Sequence, residues 1–177
     1  MKFTFKIQKY QTEAVDSLVK CFEGQQFADK VQYLRDKGLM PKVVKQEVQT
    51  ELFEKEKTEE EQLEDSDNGY RNAELVLSEK ELLDNIHKIQ DKNFIIHSAK
   101  IEKTANRPSF DIEMETGTGK TYVYTKTMYE LNKAYGWTKF MIVVPSVAIR
   151  EGIFKSLEYT QEHFMEHYGK KIRFFIY

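Results

Sequence analysis

The nine residues METGTGKTY, Met114 to Tyr122, constrain this chain more than any other stretch. They join a short apolar run, FDIEM (110–114), to a helical pattern that carries Tyr124, Met128, Leu131 and Tyr135 on one face and ends at Gly136. A strand that enters a helix through a glycine turn aims backbone N–H groups and the positive end of the helix dipole at one small volume. Phosphate suits that volume. Gly117 and Gly119 let the main chain approach oxygens without a Cβ in the way, Lys120 can reach β- and γ-phosphates, and the Thr121 hydroxyl is placed to ligate Mg²⁺. The general phosphate-loop pattern G-x-x-x-x-G-K-[ST] is met at Gly119, Lys120 and Thr121, with Met114 in place of its first glycine. A plain glycine turn bearing a surface lysine is the alternative, but it leaves the flanking strand and helix without a purpose.

The same cycle repeats downstream. KFMIVV (139–144) reads as a buried strand, Pro145-Ser146 as a break, and residues 147–168 as a long helix with Ile153, Leu157, Phe164 and Tyr168 inward, closed by Gly169. IRFFIY (172–177) opens a third strand. Strands alternating with helices of this length predict an α/β fold, a parallel sheet with flanking helices, whose ligands lie at the carboxyl ends of the strands. Upstream, Phe3, Phe5 and Ile7 alternate as in a short strand, and Ala14, Leu18 and Phe22 fall at helical spacing.

Between these regular parts, residues 23–107 are rich in Lys, Glu and Gln and read as a charged, largely helical insertion. VQYLRDKG (31–38) and SEKELLDNIHKIQ (78–90) are its expected helices. The second opens on Ser78 with Glu81 three residues later, the pattern of a capping box. A turn is expected at Asn68-Gly69.

Charge is uneven along the chain. Residues 45–65 hold nine acidic and three basic side chains, whereas residues 120–177 hold nine basic and five acidic, so the end with the glycine loop is the positive one. An overall balance of −2 excludes a strongly basic nucleic-acid binder. Cys21 is the only cysteine, which rules out an internal disulfide and fits a reducing, cytoplasmic setting. The N-terminus MKFTFKIQKY lacks the apolar core of a signal peptide, and FMIVV is too short to span a membrane.

Several side chains admit two readings. The Gln11 amide could pair with the N6 and N7 edge of adenine, or simply start a helix. Tyr122, Tyr124, Tyr129 and Tyr135 could stack on bases, but their spacing favours the core. His163 and His167 share a helix face, and without a third ligand nearby they read as a surface pair. The acidic run reads as a solvated face.

Taken in order, KIQKYQTEAVDSL, METGTGKTY and KFMIVVPSVAIREGI resemble the first blocks of superfamily 2 helicases and translocases. The wording METGTGKTYVY and IVVPSVAIREG is more closely similar to the restriction (Res) subunit of type III restriction enzymes, in which a non-glycine residue at the Met114 position is tolerated. The resemblance covers residues 1–24 and 108–177. It implies a RecA-like first motor lobe, here residues 1–177 in partial form, with 23–107 inserted. It implies adenine recognition by Gln11, triphosphate binding by Thr116, Gly117, Thr118, Gly119 and Lys120, and Mg²⁺ at Thr121. Lys120 and Thr121 would be the catalytic pair for ATP. Pro145, Ser146 and Arg150 match a block that contacts nucleic-acid backbone, which a post-strand helix start with an arginine can grip without reading sequence.

The implied parent is an ATP-dependent DNA translocase coupled to an endonuclease domain and to a methyltransferase partner subunit, acting on double-stranded DNA. No D-E-x-[DH] block follows a strand, and LEDSD (63–67) precedes the loop in a polar stretch. Hydrolysis needs such an acidic pair and an opposing lobe. The expectation is therefore an N-terminal piece of a longer protein, cut within the first lobe and catalytically silent alone. The competing expectations are another superfamily 2 motor without a nuclease, and a non-catalytic nucleotide-binding or docking module.

Overall fold

The computed structural model describes residues 6–28, 31–32 and 70–176, with the backbone alone at 31, 32 and 70. Its frame is four helices: α1 (Lys9–Lys20), α2 (Glu79–Lys92), α3 (Lys120–Tyr135) and α4 (Val147–Tyr168). Two short antiparallel ribbons accompany them. β1 (Val31–Gln32) pairs with β2 (Tyr70–Arg71), and β3 (Glu102–Thr104) pairs with β4 (Arg107–Ser109). The second ribbon turns at Ala105 and Asn106, both at positive φ, as a two-residue hairpin turn requires.

Helix α3 sits between α1 and α4, and this explains a departure from the expected single face. Val123, Thr125, Thr127, Tyr129 and Tyr135 are buried, so burial wraps around the helix. The Thr125 and Thr127 hydroxyls are kept satisfied by donating to the Thr121 and Val123 carbonyls one turn back, at 2.7 and 2.9 Å. On the α4 side, Tyr122, Phe164, Tyr129 and Tyr168 form a column of rings with centroids 5.2, 4.9 and 4.8 Å apart and small interplanar angles. Phe164 is 1% exposed at its centre. The tyrosines are therefore packing groups, as their spacing favoured.

On the α1 side, Val15 is fully buried, and Lys126 Nζ donates to Thr12 Oγ1 at 3.1 Å while Tyr135 Oη donates to the Val19 carbonyl at 2.9 Å. Phe22, Phe110, Tyr135 and Trp137 meet edge-on or tilted around the end of α1. The face expected from Ala14, Leu18 and Phe22 is rotated, since Gln11 and Val15 are the buried residues of the helix.

Helix α2 begins as its sequence predicts. Ser78 Oγ accepts from Glu81 N, and the Glu81 carboxylate accepts from Ser78 N at 2.8 Å. Donation from the Ser78 hydroxyl at 2.6 Å, and then from its backbone N–H, holds the Glu81 carboxyl below its ordinary range. Asn85 fastens α2 to α1 by donating to the Cys21 and Glu23 carbonyls at 3.3 and 2.8 Å.

One expectation is corrected. Val31-Gln32, expected to open a helix, lies in a strand pair. Among the described residues strand pairing is confined to the two antiparallel ribbons, and the segments 110–114, 139–144 and 172–176 carry no ladder. A parallel strand is stable when both of its faces are covered and both of its edges paired, whereas here Met141 and Val143 are each 85% exposed and Phe175 72%. Ile7 carries no regular structure, and Phe3 and Phe5 lie outside the described residues, as do residues 33–38, the acidic run and the Asn68-Gly69 turn.

Candidate functional site: a glycine loop at the start of a helix

The loop from Glu115 to Gly119 opens directly into α3. Gly117 (φ +81°) and Gly119 (φ +84°) occupy the left-handed region, which reverses the chain tightly enough to bring successive N–H groups round to one side. Gly119 is the N-cap of α3, and no side chain caps it. The four leading N–H groups of any α-helix lack partners within the helix. In α2 and α4 a serine oxygen meets that need, Ser78 and Ser146 accepting from Glu81 N and Ile149 N. At α3 no side chain does so, and the loop stands at the positive end of a sixteen-residue helix dipole.

Two side chains of the loop are folded onto its own backbone. Thr118 Oγ1 and Lys120 Nζ both donate to the Glu115 carbonyl, at 2.7 and 3.0 Å. Lys120 is exposed and its contact is with a neutral acceptor, which a phosphate oxygen would outcompete as a charge-assisted partner. Thr121, in the first turn of α3, is half-buried. Thr116 is exposed at the outer bend.

The wall of the loop comes from α1. Gln11 is 9% exposed, and its Nε2 donates to the Thr118 carbonyl at 2.9 Å, joined by Tyr10 Oη at 3.3 Å. Residues more than one hundred positions apart in sequence thus meet at the glycine turn. Of the expected nucleotide residues, Gln11, Thr116, Gly117, Thr118, Gly119, Lys120 and Thr121 all gather here. The Gln11 amide is engaged by the loop itself.

The second candidate group lies apart. Tyr122 shares a hydrogen bond with His163 Nε2 at 3.0 Å, and about sixteen residues of α4 separate His163 from its N-terminus, roughly 25 Å at 1.5 Å per residue. Pro145 is exposed, Ser146 spends its oxygen on the cap at 3.3 Å, and Arg150 pairs with the neighbouring Glu151 at 3.0 Å. That end of α4 carries a side-chain cap, whereas α3 has none.

The histidines depart from the surface-pair expectation. His163 is 9% exposed against Tyr122, and His167 alone faces outward, its Nδ1 meeting the His163 carbonyl at 2.8 Å. Burial first, and then the nearby His167 and Lys126 charges, hold the His163 imidazole below its ordinary pKa, against a small opposing pull from Glu166. Among the described residues no three His, Cys, Asp or Glu side chains are grouped as a metal cage. No described helix is long and apolar enough to cross a membrane.

The roles of Tyr10 and His163 escape a reading of the chain. Tyr10 carries no pattern of its own beside Gln11, and His163 would need its partner, 41 residues away, to be known.

Comparison with known proteins gives one family and several relatives. The family described as "Type III restriction enzyme, res subunit" matches residues 4–173. The type III restriction-modification enzyme EcoPI Res subunit of Escherichia phage P1 is 42% identical over 107 residues, which is 59% of this chain and 11% of that protein. The EcoP15I Res subunit of Escherichia coli gives the same 42% over 107 residues, with the same coverage. The StyLTI Res subunit of Salmonella typhimurium strain LT2 is 44% identical over 84 residues, 46% of this chain and 8% of that protein. The chain thus spans about a tenth of the length of these relatives.

Proposed function

Because this chain belongs to the type III restriction enzyme Res-subunit family, whose helicase-like fold is built on a phosphate loop, we propose that residues 115–121 bind the triphosphate of ATP. The observation that carries this reading is the α3 N-terminus: an αL glycine cap without a side-chain partner, preceded by a second αL glycine and followed by a lysine. Backbone N–H groups of Gly117, Thr118 and Gly119 cradle the β-phosphate, with Thr116 at the rim. Lys120 leaves the Glu115 carbonyl for a phosphate oxygen, and the Thr121 hydroxyl contributes one ligand to Mg²⁺. When bound, the metal neutralises charge on the phosphates. The oxygen and second N–H of Gln11 read the adenine edge.

The wider role is that of the family: the ATP-binding part of an ATP-dependent DNA translocase coupled to double-strand cleavage, working in the cytoplasm with a methyltransferase subunit. Pro145, Ser146 and Arg150 touch the DNA backbone in that reading. Residues 1–177 form part of the first motor lobe, 23–107 an insertion within it, and the isolated piece does not turn over ATP, lacking the acidic pair.

The parallel sheet belongs to the same proposal. Tyr122 faces His163, Tyr129 faces Phe164 and Tyr168, and Asn132 meets Lys170, so α3 and α4 run in the same direction. A chain that leaves one helix and begins a parallel neighbour must return between them, and residues 136–146 make that return. That is the layout of a βαβ crossover, with 110–114, 139–144 and 172–176 as its strands.

The test is ATP binding by the full-length protein with and without Lys120→Ala. Loss of about a hundredfold or more in affinity is expected for removing a charged phosphate contact. Affinity that ignores the substitution would remove the loop from the site.

A further inference from the structure

We propose that Tyr10 and Gln11 act as a positioning pair for the phosphate loop, independently of any contact with the base. Both donate to a single acceptor, the Thr118 carbonyl, at 3.3 and 2.9 Å. In a trans peptide the C=O of one residue and the N–H of the next point in opposite directions. Drawing the Thr118 carbonyl towards α1 therefore turns the Gly119 N–H away from α1, into the concave side of the loop where a phosphate would sit. Without that grip the peptide between Thr118 and Gly119 is free to flip, since the flip turns on φ of Gly119, which tolerates either hand of backbone.

The pair is itself anchored. Gln11 is buried, and one residue further on Lys126 Nζ donates to Thr12 Oγ1, tying this turn of α1 to the body of α3. The space is also fitted, because a Cβ on Gly119 would fall 2.6 Å from Gln11 Nε2. The glycine is thus required by α1 as well as by the backbone angle. The role presupposes that the loop holds phosphate, and it predicts a dependence that base reading does not: affinity for a phosphate chain bearing no base.

Inorganic tripolyphosphate, ATP and GTP would be titrated into the full-length protein and its Tyr10→Phe, Gln11→Glu and Lys120→Ala variants, each below its melting temperature. Tyr10→Phe removes one hydroxyl and should weaken all three ligands by the same factor, about two- to tenfold for one hydrogen bond. Gln11→Glu keeps an oxygen but replaces the donor with a repelling carboxylate, and should weaken tripolyphosphate at least as much. Unchanged tripolyphosphate affinity in both variants, with ATP alone weakened by Gln11→Glu, would overturn the positioning role and leave Gln11 as a base reader. Tripolyphosphate binding that also survives Lys120→Ala would instead sink the phosphate-loop assignment. A change confined to melting temperature, with ligand affinities intact, counts against the pair.

Discussion

Gln11 Nε2 occupies the space a side chain at residue 119 would need: it lies 2.6 Å from the point where a Cβ on Gly119 would stand, and donates to the adjoining Thr118 carbonyl at 2.9 Å. Helix α1 and the glycine turn are therefore shaped to each other. Gly119→Ala must both strain a backbone at φ +84° and displace the amide. It should lower stability by about 1–3 kcal/mol and abolish nucleotide binding. Gly117→Ala meets open space and carries the backbone strain alone, so it should destabilise less. Equal losses in urea midpoint for the two variants would contradict the fit at Gln11.

Phe164 joins the ring column at its most buried point, stacked on Tyr122 and Tyr129. Phe164→Ala should destabilise the protein by about 3–5 kcal/mol through lost burial and the cavity left behind. Tyr129→Phe removes a hydroxyl that bonds the Lys170 carbonyl at 3.3 Å and the Ile172 backbone, and should change stability by about 1 kcal/mol. Urea unfolding of the two variants provides the comparison.

His163 ties stability to pH. Its folded pKa is depressed by burial and then by His167 and Lys126. Below about pH 6.5 the unfolded chain takes up a proton that the folded imidazole resists. The unfolded state then binds more protons, so stability is full above that pH and is lost as the pH falls towards the folded pKa. His163→Gln, which keeps a partner for Tyr122, should flatten the change in urea midpoint between pH 7.5 and pH 5. Identical pH profiles for the two proteins would dismiss the assignment.

Burial pushes the Cys21 thiol up to about 11, and the residue is 8% exposed. At pH 8 only roughly a thousandth of it is the reactive thiolate. Iodoacetamide should leave the native protein unmodified over minutes and label it once in denaturing urea, as read by intact mass. Rapid native labelling would mean that the α1–α2 junction is open.

That junction depends on one amide. Asn85→Ala strips a donor from the Cys21 and Glu23 carbonyls and should lower stability by about 1–3 kcal/mol. Ser78→Ala breaks the capping box at an exposed site and should remove about 1 kcal/mol. A reversed order in melting temperature would mean that α2 is held by its cap rather than by Asn85.

The glycine loop, the helix stops at Gly136 and Gly169, the Ser78 cap and the family resemblance were all legible in the chain. Each is a local affair, in which one residue type meets one need of the backbone within a few positions. How the apolar runs pair is a different matter, because a ladder depends on what lies beside a strand, and Met141 and Val143 are each 85% exposed. The wrapped burial of α3 and the rotated face of α1 were hidden for a similar reason. A helix lying between two others buries more than the single stripe that periodicity reports.

By itself the sequence determined that a strand-like run, a glycine turn and a helix would place Lys120 and Thr121 behind a row of backbone amides, since φ preferences and helix caps act within the chain. Only the tertiary structure decided that Tyr10 and Gln11 would grip the Thr118 carbonyl and that His163 would lie against Tyr122. Those contacts join residues 41 to 108 positions apart, and their energy exists only once packing has brought the helices together.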